Sequence, residues 1–271
     1  MGALLGWGTG ICTPIGRSRI CSPAVRRSPN NGYFTTEWVL IIIKSSMVKK
    51  VSNVMPDFEH FVKGENPTLL IHSGTHGDEY GVIDIVRKCV EKYEDRLPDF
   101  VFVPKVSPSA VKARLRVNSN GFDLNRIFFS DSREIEVIEN IKALDGYKFD
   151  TMVSFHEDPV LEEYYIYDSG FDLNESEKIK SHNQKLKKSG FKLLNGLDDP
   201  DDPNLGYEFK EGYRKFIEEE DDKSNGMITV WAMVEKGVNE CLVPEIPGIL
   251  SMEKKELIVD TFFKDLLIKE V

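Results

Sequence analysis

Thr68-Leu69-Leu70-Ile71-His72-Ser73-Gly74-Thr75-His76-Gly77-Asp78-Glu79-Tyr80-Gly81 runs from an apolar segment through a glycine-punctuated polar turn into a helical pattern. Residues 68–72 read as a buried strand, and Val82, Ile83, Ile85, Val86, Cys89 and Val90 recur at helical spacing, which predicts a helix over residues 79–93. His76 and Glu79 therefore stand at a strand-to-helix junction. Three residues apart, an imidazole and a carboxylate can face one crevice and fill two positions of a tetrahedral zinc ion. Such pairs also arise as a capping carboxylate beside an ordinary histidine, so the metal reading needs a third ligand from elsewhere.

The pattern around this stretch alternates. Strands are expected at residues 100–106, 151–155, 164–167, 227–233 and 240–243, and helices at 133–144, 175–188 and 254–268. Alternation of this kind implies an α/β fold with a mixed, mostly parallel twisted sheet and helices on both faces. Ligands of such sheets gather at the carboxyl ends of the strands.

Composition narrows the function. A formal net charge of -10 suits a soluble protein and disfavours phosphate backbones, so nucleic acid is not expected as a partner. The apolar run from Trp38 to Ile43 is far shorter than the roughly 20 residues of a membrane span, so no membrane association is expected. Cys12, Cys21, Cys89 and Cys241 form no CxxC pair, and Cys89 and Cys241 lie within apolar patterns as buried free thiols, which points to a reducing, cytoplasmic setting. Residues 1–46 differ from the remainder: Arg17, Arg19, Arg26, Arg27 and Lys44 face the single acid Glu37, with no sustained period before Trp38. They read as a transit-like, disordered or non-native extension ahead of a start at Met47, leaving residues 47–271 as a single catalytic domain.

Three later stretches bear on the chemistry. Arg114 and Arg116, followed by Asp123-Leu124-Asn125-Arg126, come directly after the strand at 100–106 and form a receptor for an anion, since a guanidinium fork matches a carboxylate. The strand at 151–155 delivers His156 to the same edge, completing with His76 and Glu79 a His, Glu, His set that leaves one position for water. The strand at 240–243 leads to Glu245, between Pro244 and Pro247, placed to accept a proton from the attacking water. His60 and His182 sit in polar surroundings and are expected to be exposed, while His72 is expected to face the core or to stand behind the ligands rather than to touch the metal. The acidic runs at 198–203 and 218–222 read as solvated loops.

In this order, HxxE at His76 and Glu79, an arginine, DLNR at Asp123 to Arg126, the strand-end His156 and ExP at Glu245 to Pro247 resemble the M14 metallocarboxypeptidase superfamily, over about residues 67–250. That superfamily includes the succinylglutamate desuccinylase and aspartoacylase-like deacylases. The resemblance implies a zinc hydrolase on a mixed sheet of about eight strands, with one Zn2+ per chain held by His76, Glu79 and His156. It further implies that Arg116 stabilises the oxyanion with Arg114 as the rival, that Asn125 and Arg126 grip a substrate carboxylate, that Asp123 orients His76, and that Glu245 is the general base and acid. The expected substrate is a small peptide or an N-acyl amino acid with a free carboxylate.

Ser154 to Asp158 with Tyr164 to Tyr167 look like bacterial carboxypeptidases, and little sequence follows residue 268 to form the further β domain of aspartoacylase-like proteins. Pro108-Ser109-Ala110 looks deacylase-like. The carboxypeptidase reading is preferred, the deacylase is its alternative, and an inert binding protein is disfavoured because every residue of the chemistry is present. A tyrosine closing over the substrate has only Tyr207 and Tyr213 as candidates.

Overall fold

The computed structural model describes residues 21–27, 34–40, 46–170, 176–199, 206–216 and 226–268. The chain divides into two units, Met1–Ser46 and Met47–Val271. In the first, β1 (Cys21–Arg27) and β2 (Phe34–Leu40) pair antiparallel, with Cys21 opposite Leu40. No strand period was expected there. A two-stranded ribbon pairs its backbone without needing one buried face, so it imposes no alternation on the sequence.

The second unit runs β3 (Val48–Val51), β4 (Glu59–Lys63), β5 (Leu69–Ser73), α1 (Ile83–Tyr93), β6 (Phe100–Val103), α2 (Pro108–Ala113), α3 (Ile135–Ala143), β7 (Thr151–Asp158), β8 (Tyr165–Gly170), α4 (Glu177–Lys188), β9 (Gly196–Leu197), β10 (Glu208–Phe209), β11 (Tyr213–Phe216), α5 (Ile228–Lys236), β12 (Glu240–Pro247) and α6 (Met252–Phe262). Eight of these strands form one sheet in the order β11-β8-β12-β7-β5-β6-β4-β3. Its centre, β12-β7-β5-β6, is parallel throughout, and β4 and β3 continue antiparallel to one edge. On the other side β8 lies antiparallel to β12 and parallel to β11.

Side chains of one strand point alternately to opposite faces, which divides the core in two. Leu69, Ile71, Phe100, Phe102, Val153 and Phe155 meet α1, α4 and α6 on one face. Leu70, Val101, Val103, Met152 and Cys241 meet α3 and α5 on the other. The central strands are apolar on both sides for this reason, and each fully buried aliphatic side chain stabilises the fold by roughly 1.5–3 kcal/mol. The expected α/β class, with a mixed, mostly parallel sheet covered on both faces, is the fold observed.

One expected element is of the other kind. Residues 227–233 were predicted as a strand but form α5, because the buried positions Ile228, Trp231, Ala232 and Lys236 lie on a helical stripe and Gly237 closes the helix at φ 72°. The β-branched run Ile228-Thr229-Val230 concealed that period. Helix α1 also begins later than expected, at Ile83, with residues 80–82 forming a turn before it. His60 and His182 are buried rather than exposed: burial pushes the His60 imidazole down to about 4, and His182 lies 3.2 Å from both Asp265 Oδ2 and the Tyr164 hydroxyl. Among the described residues no helix is long and apolar enough to cross a membrane.

Candidate metal centre

The four stretches singled out in the sequence meet at the carboxyl ends of β5, β6, β7 and β12. After β5 the chain turns through Gly74, in the left-handed region at φ 61°, and passes Gly77 so close to α2 that a Cβ there would lie 1.8 Å from the Ala110 carbonyl oxygen. This close approach fixes the loop that carries His76 and Glu79.

Both residues are buried, at 2% and 5% exposure, as is His156 at 4%. Nδ1 of His76 lies 2.5 Å from Glu79 Oε1, and Nδ1 of His156 lies 2.7 Å from Glu79 Oε2. The outer nitrogens are tied back: His76 Nε2 is 3.1 Å from Asp123 Oδ1, and His156 Nε2 is 3.1 Å from Ser154 Oγ. One ligand atom from each of His76, Glu79 and His156 falls within 4.8 Å of the others. Two imidazoles with Nδ1 aimed inward and Nε2 held from behind, flanking one carboxylate, fit a bound metal ion.

The charges are strongly coupled. Burial lowers the proton affinity of His76, yet the charge of Glu79 and the hydrogen bonds to Asp123 and Glu79 outweigh it and raise the imidazole to about 9. Burial opposes ionisation of Glu79 and Asp123, but the histidines, and for Asp123 also Arg116 and Arg126, hold both carboxyls well below the usual range. Beneath the site His72 is fully buried with both ring nitrogens unpartnered, and burial first, then the charge of His156, pushes it down to about 3. His72 thus lies in the core, as expected.

Arg116 and Arg114 diverge. Arg116 lies 3.1 Å from Asp123 Oδ2 and 3.9 Å from Glu79 Oε1, so its guanidinium faces the cluster. Arg114, in the left-handed conformation at φ 55° that ends α2, stacks its guanidinium 4.3 Å over the Tyr80 ring. Asn125 sits in a single helical turn capped by Asp123 and accepts a hydrogen bond on Oδ1 from the Ile228 backbone N–H at 3.1 Å. Arg126 follows it, donating from Nη1 to the Asn125 carbonyl at 3.1 Å.

Glu245 pairs in register with His156 on one side and with Tyr165 on the other. Burial, reinforced by the carboxylates of Glu79 and Asp158 and opposed by Arg116, raises its carboxyl well above the usual range. A carboxyl displaced in that direction beside a candidate metal cluster marks a candidate functional group.

Neither tyrosine named from the sequence reaches this centre freely. The Tyr213 hydroxyl donates to Asp168 Oδ2 at 2.7 Å inside the sheet, and Tyr207 packs edge-on against Phe216. The tyrosine beside Glu245 is instead Tyr165, its strand neighbour, which is buried and whose hydroxyl donates to Asp158 Oδ2 at 2.6 Å. Its signal was the alternation in Tyr165-Ile166-Tyr167, which sends both rings to the Glu245 face. Asp198, read as part of a solvated run, is buried and accepts from the Tyr167 hydroxyl at 2.5 Å and from the Asp199, Gly206 and Tyr207 backbone N–H groups at 2.7 Å. The acidic residues 218–222 lie outside the described residues.

This fold recurs among solved metallocarboxypeptidase-like proteins. A protein of Shewanella amazonensis classed as a metallopeptidase superposes with a TM-score of 0.63 at 20% identity, covering 82% of this chain and 88% of its own. A metallo-carboxypeptidase from Burkholderia cenocepacia does so with a TM-score of 0.53 at 15% identity over 77% and 59% of the two chains. Another from Pseudomonas aeruginosa, in complex with (2-guanidinoethylmercapto)succinic acid, gives 0.55 at 14% identity over 82% and 63%.

More narrowly, residues 65–148 match the model of the succinylglutamate desuccinylase/aspartoacylase catalytic domain. No curated protein matches the sequence significantly. The resemblance read from the motifs is therefore met both in fold and in family model, and the match to a hydrolase's catalytic domain supports an enzyme of hydrolase type.

Proposed function

We propose that residues 47–271 are a zinc-dependent hydrolase that cleaves an amide bond next to a free carboxylate, removing C-terminal residues from peptides. The observation that carries this reading is the convergence of His76 Nδ1 and His156 Nδ1 on the two oxygens of Glu79, with Glu245 the register partner of His156.

In this reading His76, Glu79 and His156 hold the zinc, which when bound lowers the pKa of water to roughly 7 and polarises the scissile carbonyl. Glu245 accepts a proton from the attacking water and returns it to the leaving nitrogen as the C–N bond breaks. Arg116, whose guanidinium faces the cluster, stabilises the oxygen on which negative charge develops. Asn125 and Arg126 bind the substrate carboxylate, and Asp123 holds the His76 ring through Nε2. The buried free thiols Cys89 and Cys241 support a reducing, cytoplasmic setting.

The match of residues 65–148 to the desuccinylase/aspartoacylase domain favours a second reading, hydrolysis of N-acyl amino acids. Both use the same attack on an amide beside a carboxylate. A hydrolysis screen of the purified protein with and without chelator, on free-C-terminus peptides beside N-acyl amino acids, separates them: chelator-sensitive peptide cleavage is expected. Cleavage confined to N-acyl amino acids overturns the peptidase reading, and turnover indifferent to chelator overturns both.

A further inference from the structure

Glu157 follows the candidate ligand His156 and points to the opposite face of β7, where its carboxylate meets Lys255 in the opening turn of α6. Both are almost wholly buried, at 4% and 6% exposure. Burying two charges is costly unless the geometry compensates, and replacement by apolar residues often stabilises a fold, so such a pair is weak evidence of a stability device. Lys255 is also at the unfavourable end of its helix, because cations are favoured at helix C-termini. Neither core packing nor helix stability accounts for this lysine.

The contacts of Glu157 supply an account. Its backbone N–H donates to Glu79 Oε2 at 3.3 Å, and its Oε2 accepts from the Gly81 backbone N–H at 2.6 Å. One residue thus grips the loop at the carboxylate of Glu79 and again two residues further on. Lys255 holds the other carboxylate oxygen, so α6 braces the grip. Gly81 is pressed so near that a Cβ there would stand 2.6 Å from Glu157 Oε1 and 2.9 Å from Lys255 Nζ.

We propose that the buried Glu157–Lys255 pair is a positioning device that sets the aim of the Glu79 carboxylate and, through it, the affinity of the site for its metal ion. The role rests on reading His76, Glu79 and His156 as a metal site. Glu157 and Lys255 act on the ion only through Glu79.

The test is zinc affinity by chelator competition on the full chain, with the absorption spectrum of the cobalt-loaded protein as a report on ligand geometry, each recorded below the unfolding temperature of the variant. Lys255→Met is expected to weaken zinc binding about 10- to 100-fold, the usual cost of losing a group that orients a metal ligand, and to alter the cobalt spectrum. The double variant Glu157→Gln, Lys255→Met removes both buried charges and so leaves none uncompensated, which keeps the test available should the single variant fail to fold; it is expected to bind at least about tenfold more weakly. Lys215→Met, which breaks the partly buried Lys215–Asp168 pair of β11 and β8, should lower Tm and leave zinc affinity unchanged. Zinc affinity and cobalt spectrum identical to those of the unaltered protein in the Lys255 variants, whatever their Tm, overturn the positioning role alone. An unaltered protein that takes up no zinc overturns it together with the metal-site reading.

Discussion

Glu245 and His156 are Cα partners on the adjacent parallel strands β12 and β7. Residues so paired send their side chains to the same face of a sheet, and here that face is the one reached by His76 and Asp123 at the end of β5 and beyond β6. A carboxyl raised by burial and by neighbouring carboxylates is thereby held beside a His, Glu, His cluster by main-chain hydrogen bonding rather than by a mobile loop.

Glu245→Gln should keep stoichiometric zinc and lose turnover by about 10^2- to 10^4-fold, the range for removing a proton-transfer group. Metal analysis beside steady-state kinetics checks this. Undiminished hydrolysis removes Glu245 from the mechanism.

Arg116→Ala should lower kcat by about 10^2- to 10^3-fold, the cost of one oxyanion donor, because its guanidinium faces Glu79 and Asp123. Arg114→Ala should change kcat less than about tenfold, since that guanidinium is spent on the Tyr80 ring. Equal losses in the two variants would show that the rivalry between these arginines is not resolved by where they point.

Asp123→Ala frees His76 Nε2 and withdraws the carboxylate that favours Nδ1 as the inward donor. Zinc affinity should fall about 10- to 100-fold with the fold retained, measured by chelator competition and circular dichroism.

Gly77→Ala places a methyl carbon 1.8 Å from the Ala110 carbonyl oxygen, a contact that only backbone movement relieves. A loss of stability of about 1–3 kcal/mol is expected from overpacking, together with weaker zinc binding because the displaced residues adjoin His76. Urea denaturation of the zinc-free protein isolates the first effect.

Acid should destabilise the fold through His60. Its imidazole takes up a proton near pH 6.5 when unfolded but near 4 when folded, so the unfolded state binds more protons between these values and stability falls as pH drops through that window. His60→Leu should flatten the slope between pH 6.5 and 4 by about 1–2 kcal/mol in urea titrations at the two ends. An unchanged slope assigns the acid sensitivity elsewhere.

Much of the centre was legible because strand ends and ligand spacing are local properties. An apolar run ending on His156, a glycine-rich turn holding His76 and Glu79, and a strand leading to Glu245 each announce a carboxyl edge. What failed to show was equally particular. Ile228-Thr229-Val230 has strand composition, and only the partners of Trp231, Ala232 and Lys236 reveal that one helical side is buried. His182 looked exposed among lysines, yet α4 turns it against Tyr164 and Asp265. Asp198 looked solvated, yet it binds three backbone N–H groups and the Tyr167 hydroxyl.

The sequence by itself determined the alternating α/β plan and the His76, Glu79, His156 and Glu245 side chains on which the proposed chemistry rests, since periodicity and residue chemistry are carried by neighbours along the chain. Only the tertiary structure decided that β12 lies beside β7 and not elsewhere, that Arg116 rather than Arg114 faces the cluster, and that Glu157 and Lys255 brace Glu79. These relationships join residues far apart in sequence, through strand order and side-chain direction, and no local pattern encodes which distant strand or helix will become the neighbour.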